Sequence, residues 1–462
     1  MHSHTQSATT MAGGNSTGCN RGPASARNFL RFAACSVLMA SSTSPAAFAL
    51  SPERQELDVT GCLGGIWSLP IDGDEDRWAF APDEYAMYST AWIPFLGPEN
   101  SAHFEVRGTA GTARYWSLTS YGPDGGVLDG LPDDQITLDE SGFYSVELRD
   151  LPEPPRPPSE PNVLYTGYEE GVALEDTAVI FRTYLGGEPE PPRLWYVVEG
   201  NPPGLPQSIG EACRLFDTRK VLAGHTEPVR FATGADQRFE QISSATRAVD
   251  PCWVPREPNG WFVSDGARDP ATDPYADTWP CRGRGRVWDR LVPYPNPDNK
   301  YLVNHLDPLP PGISHPLYVT RFRLPVTPGL EPPGGLTQTR YLSVCTYQLE
   351  NGGYLVDCLH DGELVTETAE DGSRWVSLVV SEPGDRPSVV DNWLPLASDN
   401  PMILIRHLRA EPTFEESPHY FDPGGGESLA EHMGPYFPAA SYCSRDDYEH
   451  GTCVVPSSAT RS

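Results

Sequence analysis

The stretch ARYWSLTSY at Ala113–Tyr121 returns as TRYLSVCTY at Thr339–Tyr347, and this self-similarity constrains the chain more than any other feature. With Arg114 laid on Arg340, an offset of 226, further anchors follow in the same order. Leu131, Asp133 and Ile136, then Asp139 and Gly142, match Leu359, Asp361 and Leu364, then Asp371 and Gly372, at an opening offset of 228. AVIFRTYL at Ala178–Leu185 matches MILIRHLR at Met402–Arg409, placing Arg182 on Arg406. Upstream, Pro82, Asp83 and Tyr88 match Pro295, Asn296 and Tyr301 at an offset of 213. The offset changes where the second copy carries the Pro/Gly-rich insert VTPGLEPPGGLTQ. A chain of 462 residues is too long for one ordinary core, and an internal duplication supplies two.

Each copy reads as β. Its segments are short, rich in Val, Tyr, Trp and Thr, and separated by turn residues. In YWSLTSY, alternation puts Trp116 and Leu118 on one face and Ser117 and Thr119 on the other. AVIFRTYL is apolar on both faces, as a strand buried at the centre of a sandwich must be. With 43 Gly and 49 Pro, long helices are excluded. Two short ones are expected, at Pro206–Ala223 and Glu427–Met433. The expected fold is all-β: two duplicated jelly-roll-like antiparallel β-sandwich domains with a few short helices. The copies span 50–224 and 225–462, and the second contains a disulfide-closed insert at about 241–291 with no counterpart in the first.

Residues 1–49 read as a secretory signal peptide. Arg21, Arg27 and Arg31 precede the apolar run FAACSVLMA, and Ala47, Phe48 and Ala49 form a small-x-small cleavage site. The run is too short to span a bilayer, and the expectation is a periplasmic or extracellular protein with no transmembrane segment. The formal net charge is −30, and the leader carries no acid, so the remainder is more negative still. Such a surface repels nucleic acid and keeps an exported protein soluble.

Eight cysteines follow the leader, an even number that argues for disulfides. The expected pairs are Cys62–Cys213, Cys252–Cys281, Cys345–Cys358 and Cys443–Cys453, although spacing alone does not fix connectivity. No C-x-x-C occurs, which argues against zinc.

At these residues the chain resembles a group of secreted bacterial proteins of unknown function. Their pattern is P-D-x-x-x-x-Y, then R-Y-x-S-x-x-x-Y, then L-x-D-x-x-I-x-x-D-x-G. The first copy fits it through Pro82, Asp83 and Tyr88, then Arg114, Tyr115, Ser117 and Tyr121, then Leu131, Asp133, Ile136, Asp139 and Gly142. The second departs from it at Asn296 and Leu364. The resemblance implies jelly-roll-like sandwiches and no particular activity.

The candidate ligand-binding residues are Trp92, Trp116, Tyr121, Arg114, Asp133, Arg340 and Asp361. Aromatic-lined concavities suit sugar rings. An arginine on an apolar strand face needs a carboxylate, and the repeated Asp133 and Asp361 are the natural partners. Such pairs either grip a polar ligand or fix the strands structurally. Asp72, Asp74 and Asp76 alternate as calcium ligands do, but the distal glutamate of a complete loop is absent, so at most weak calcium binding is expected and no other cofactor. His407, His419, His432 and His450 form no ligand pair and read as scattered surface residues. No G-x-S-x-G, Walker or dinucleotide motif occurs. The leading expectation is an exported, non-catalytic protein that binds a small molecule or polysaccharide. The rival is an extracellular carboxylate-dependent enzyme, a polysaccharide lyase or glycoside hydrolase.

Overall fold

A computed structural model describes residues 54–67, 71–72, 83–98, 101–122, 126–151, 161–169, 171–186, 191–200, 202–216, 261–264, 296–306, 313–331, 335–348, 354–396, 401–422 and 425–456. The predicted leader, Asp74, Asp76, Cys252, Cys281 and nearly all of the 241–291 insert lie outside them.

The fold is all-β. The first half runs β1 (Arg54–Asp58), β2 (Ile71–Asp72), β3 (Ala86–Pro94), β4 (Ala102–Thr109), β5 (Tyr115–Tyr121), β6 (Val127–Pro132), β7 (Phe143–Asp150), β8 (Val163–Thr166), β9 (Tyr168–Glu169), β10 (Val172–Ala173), β11 (Asp176–Tyr184) and β12 (Arg193–Glu199). The second runs β13 (Phe262–Ser264), β14 (Asn299–His305), β15 (Pro316–Arg323), β16 (Thr339–Gln348), β17 (Tyr354–His360), β18 (Glu367–Thr368), β19 (Arg374–Ser381), β20 (Asn392–Pro395), β21 (Pro401–Ala410) and β22 (Ala439–Ser444). Both halves lie in one compact unit, Pro52–Ser462.

In each half an outer sheet packs on an inner one. The inner sheets have the orders β2-β3-β11-β5-β6 and β13-β14-β21-β16-β17. The outer sheets contain β12-β4-β7-β8 and β22-β15-β19, with β20 added parallel to β19 as β8 is added parallel to β7. Register agrees as well. Arg182 faces Ser117 and Tyr88 across its neighbours, and Arg406 faces Ser343 and Tyr301. Thr119 pairs with Gly130 where Cys345 pairs with Cys358, and a bulge follows in both strands, at Ser120/Tyr121 and at Thr346/Tyr347.

The first core joins Phe104, Val106, Tyr144 and Tyr196 of the outer sheet to Trp116, Leu118, Val179 and Phe181 of the inner one. The second joins Tyr318, Phe322 and Leu378 to Leu342, Val344, Ile403 and Ile405. The opposite faces of the inner sheets meet each other through Ala86, Tyr115, Tyr184, Tyr341 and Leu408. This is why β11 and β21 are apolar on both sides: each lies between its own outer sheet and the other half.

Among the described residues the short α-helices are Ile209–Ala212, Leu429–Met433 and Arg445–Glu449. Ser428 and Glu431 form a reciprocal capping box on the second of these. The first is shorter than the sequence suggests: its four residues run into a 3₁₀ turn, Cys213–Leu215.

Three of the expected disulfides are present: Cys62–Cys213, Cys345–Cys358 and Cys443–Cys453. Among the described residues, no helix is long and apolar enough to cross a membrane.

Candidate functional site

The repeated arginines and aspartates come together where the inner sheets meet, but not within their own copies. Arg114 Nη1 donates to Asp361 Oδ2 at 2.6 Å, and Arg340 donates to both oxygens of Asp133 at 2.6 and 3.1 Å. The sequence reading pairs each arginine with the aspartate of its own hairpin. The structure corrects this, because each arginine leaves its sheet at the strand head and reaches across to the other half. Asp361 is buried and also accepts from Thr327 Oγ1 at 2.5 Å, so the insert of the second half closes over this pair. Burial raises the Asp133 carboxyl pKa, opposed by the Arg340 guanidinium.

Deeper in the interface lie two nests of related design. Asp83, fully buried, accepts from Tyr341 Oη at 2.9 Å and Ser343 Oγ at 2.6 Å, and its carboxylate lies 3.5 Å from Arg406 Nη1. Arg406 is also buried, donates to Tyr347 Oη at 2.7 Å and has Tyr301 and Tyr347 rings beside it. Burial opposes its charge, but the Tyr347 hydroxyl and Asp83 outweigh that, so its pKa lies well above the ordinary value. In the second nest Tyr115 Oη donates to Asp298 Oδ2 at 2.7 Å and lies 3.4 Å from Asn296 Oδ1, and Arg182 is bracketed by Tyr88 and Tyr121. The amide Nδ2 of Asn296 is buried and makes no hydrogen bond among the described residues.

The remaining nominated residues are distributed otherwise. Trp116 is 5% exposed and stacks on Tyr144 inside the first core, and Tyr121 is fully buried, so neither offers a ring to a ligand. Trp92 is partly buried against Tyr121 and Ile180. Asp72 is the one member of the acidic turn among the described residues. A metal-like grouping of Asp83, Cys345 and Cys358 offers no thiolate, since the two cysteines are bonded to each other. His407 and His432 are buried, contrary to the surface reading. Burial pushes the His407 imidazole down to about 3, and His419 Nε2 bonds to the His407 carbonyl at 2.7 Å.

A site not visible from the motifs lies on the outward face of the first outer sheet. Register places Trp195, Glu105 and Glu147 in one row and Arg193, Arg107 and Ser145 in the next. Glu105 is the hub. Arg54 reaches its Oε1 at 2.5 Å and His103 lies 3.0 Å from the same oxygen, while Arg107 Nε donates to Oε2 at 2.8 Å and Ser145 Oγ at 2.7 Å. Arg107 also forks onto both oxygens of Glu56 at 2.8 Å, with its guanidinium 4.8 Å from the Trp195 ring centroid. Burial alone would raise the Glu105 pKa, but hydrogen bonds from His103, Ser145 and Arg107 outweigh it and hold the carboxyl far below the usual range. The sequence signal for this face was the period-2 charge of His103, Glu105 and Arg107 against Ser145, Glu147 and Arg149.

No protein-family model matches this chain, and no curated protein does. Among solved structures, an uncharacterized protein from Burkholderia cenocepacia is 14% identical over 80% of this chain and 79% of its own, with a TM-score of 0.43. A protein from Vibrio parahaemolyticus is 10% identical over 72% of this chain and 86% of its own, with a TM-score of 0.35.

Proposed function

We propose that this is an exported, non-catalytic protein that binds a glycan, or a polar ligand of similar chemistry, on the outward face of its first outer sheet. The observation that carries the reading is the state of the carboxylates. The three buried ones among the described residues, Asp83, Glu105 and Asp361, are each bonded or ion-paired to arginine. Asp133, less deeply placed, is forked by Arg340. An acid catalyst needs a proton to give near its working pH, and arginine-bound carboxylates are poor donors.

The outward face supplies the binding chemistry instead. Trp195 and Arg107 form a stacked platform, flanked by carboxylates and guanidiniums held in fixed geometry by one another. A sugar presents an apolar C–H face to such a platform and hydroxyls to the charged groups around it. Export accords with three disulfides, which persist in oxidising compartments. The kinship with secreted bacterial proteins of unknown function belongs to the same proposal.

The test is affinity electrophoresis of the full chain through a panel of neutral and acidic polysaccharides, with Trp195→Ala and Arg107→Ala beside it. At least one polysaccharide should retard the parent. Trp195→Ala should weaken that retention about tenfold, with little change in melting temperature. Equal retention of all three proteins would overturn the site. New reducing ends or unsaturated uronates in the incubated polymer would overturn the non-catalytic reading in favour of a hydrolase or lyase.

A further inference from the structure

We propose that the chain is a fused isologous pair: the inner-sheet face of each repeat is a docking surface whose partner is a copy of itself, and the two repeats occupy it about a pseudo-two-fold axis. In an isologous contact, if position i of one member touches position j of the other, then j of the first touches i of the second. The interface shows that exchange repeatedly. Arg114 takes Asp361 while its equivalent Arg340 takes Asp133, the equivalent of Asp361. Asp83 receives the Tyr341 hydroxyl, and the matching turn receives that of Tyr115, at 2.7 Å on Asp298 Oδ2 with Asn296 Oδ1 3.4 Å away. Tyr85, two residues after Asp83, donates to Glu363 and lies 3.3 Å from the Cys358 carbonyl. On the other side Pro297, next to Asp298, the equivalent of Tyr85, lies over Gly130, which occupies the register position of Cys358. A Cβ at Gly130 would stand 2.9 Å from Pro297 Cγ, so this approach requires glycine.

The backbones that carry these contacts are equivalent too. The Tyr85 amide donates to Asp83 Oδ1 at 3.0 Å, and the Asp298 amide to Asn296 Oδ1 at 3.1 Å. Leu185 and Arg409, equivalent non-glycine residues, both adopt left-handed backbone, with φ of 48° and 57°. Their amides bond to the Tyr85 and Asp298 carbonyls at 3.0 and 2.8 Å. A left-handed conformation is costly for such side chains, and its occurrence at both equivalent positions marks a docking loop inherited whole. Two sandwiches packed by chance would have no reason to exchange partners in this way. Fusion also explains the departure at Asn296. Once the members share a chain, the two nests mutate independently, and Asn296 stands where a self-paired repeat would carry aspartate.

The experiment moves the acid between nests in the full-length chain and reads melting temperature. Asp83→Asn should lower it. The exchange Asp83→Asn with Asn296→Asp should recover part of that loss, because the carboxylate introduced at position 296 would meet Ser117 and Arg182 as Asp83 meets Ser343 and Arg406, while the Tyr115 hydroxyl stays with Asp298. An exchange variant no better than Asp83→Asn would overturn the equivalence. Should Asp83→Asn fail to fold, the exchanged ion pairs decide: Asp133→Asn and Asp361→Asn, which release Arg340 and Arg114, should each lower the melting temperature, and a fall confined to one of them overturns the equivalence.

Discussion

Asp83 and Asn296 occupy matching turns and meet matching tyrosines, yet one brings a carboxylate to a buried arginine and the other brings an amide. The Asp83 nest is fully bonded: its two oxygens take a tyrosine, a serine and an arginine. The Asn296 nest keeps the framework and leaves an amide nitrogen without a hydrogen bond among the described residues. The contrast separates two things that a buried polar cluster does. The tyrosine cage and the turn define how the halves dock, since both nests have them. The carboxylate stabilises one nest further by neutralising a guanidinium that has left water. The same division runs through the rest of the molecule. Among the described residues, the first half is closed by one disulfide spanning 151 residues, and the second by two spanning 13 and 10.

The strongest way to break the comparison is through the disulfides. Replacing Cys62 and Cys213 by serine should cost about 5 kcal/mol on chain-entropy grounds, against about 3 kcal/mol for Cys443 and Cys453. Denaturant titration of the two variants measures both. Equal losses would mean that the long loop is already constrained by the docked halves.

Next in size is the nest itself. Asp83→Ala strands Arg406 in the interface and should cost about 3–5 kcal/mol, whereas Asn296→Ala removes a weakly bonded amide and should cost about 1 kcal/mol. If urea midpoints show the two substitutions to be equal, the charge at Asp83 is not what stabilises its nest.

A third contrast concerns acid. The second half buries His407 in β21, where the first half has Thr183 at the equivalent place in β11. Burial depresses the folded His407 pKa to about 3 from an ordinary 6.5. Between those values the unfolded chain binds a proton that the folded one refuses. Stability is therefore whole above pH 6.5 and falls as pH drops towards 3, by up to roughly 4 kcal/mol. His407→Thr should flatten the profile between pH 6.5 and 4, measured as urea midpoints across that range. An unchanged profile would place the acid sensitivity elsewhere.

The smallest effect sharpens the picture of the outward face. Arg54 is more exposed than Glu56 and Glu105 and as exposed as Glu199, so Arg54→Ala should shift stability by less than about 1 kcal/mol, since Glu105 keeps Arg107, His103 and Ser145. A larger loss would show that the charged lattice acts as one cooperative unit.

Periodicity and spacing determined a good deal of this protein without coordinates. Alternation in YWSLTSY put Trp116 and Leu118 on one face, which proves to be the core face, and the two-sided apolarity of AVIFRTYL marked a strand covered on both faces. The repeat anchors fall on strands of two inner sheets that have the same strand order, an order that their spacing did not specify. The short separation of Cys345 and Cys358 suited a hairpin staple, and adjacent antiparallel strands brought them together. These features are local: each follows from the direction in which successive side chains point or from how far a short loop reaches.

Tertiary structure alone decided the rest. Nothing in the spacing of Arg114 and Asp133 reveals that the arginine turns to Asp361, because the choice depends on a second sandwich packed against the first. Tyr121 is buried on the same inner-sheet face, and His407 on the core side of its own half with Ile403 and Ile405, for an aromatic or imidazole ring looks alike in sequence whether it faces solvent or a sheet. The Trp195–Glu105 face was hidden for the opposite reason. Its members come from β1, β4, β7 and β12, and only the pairing of those strands gathers them onto one surface.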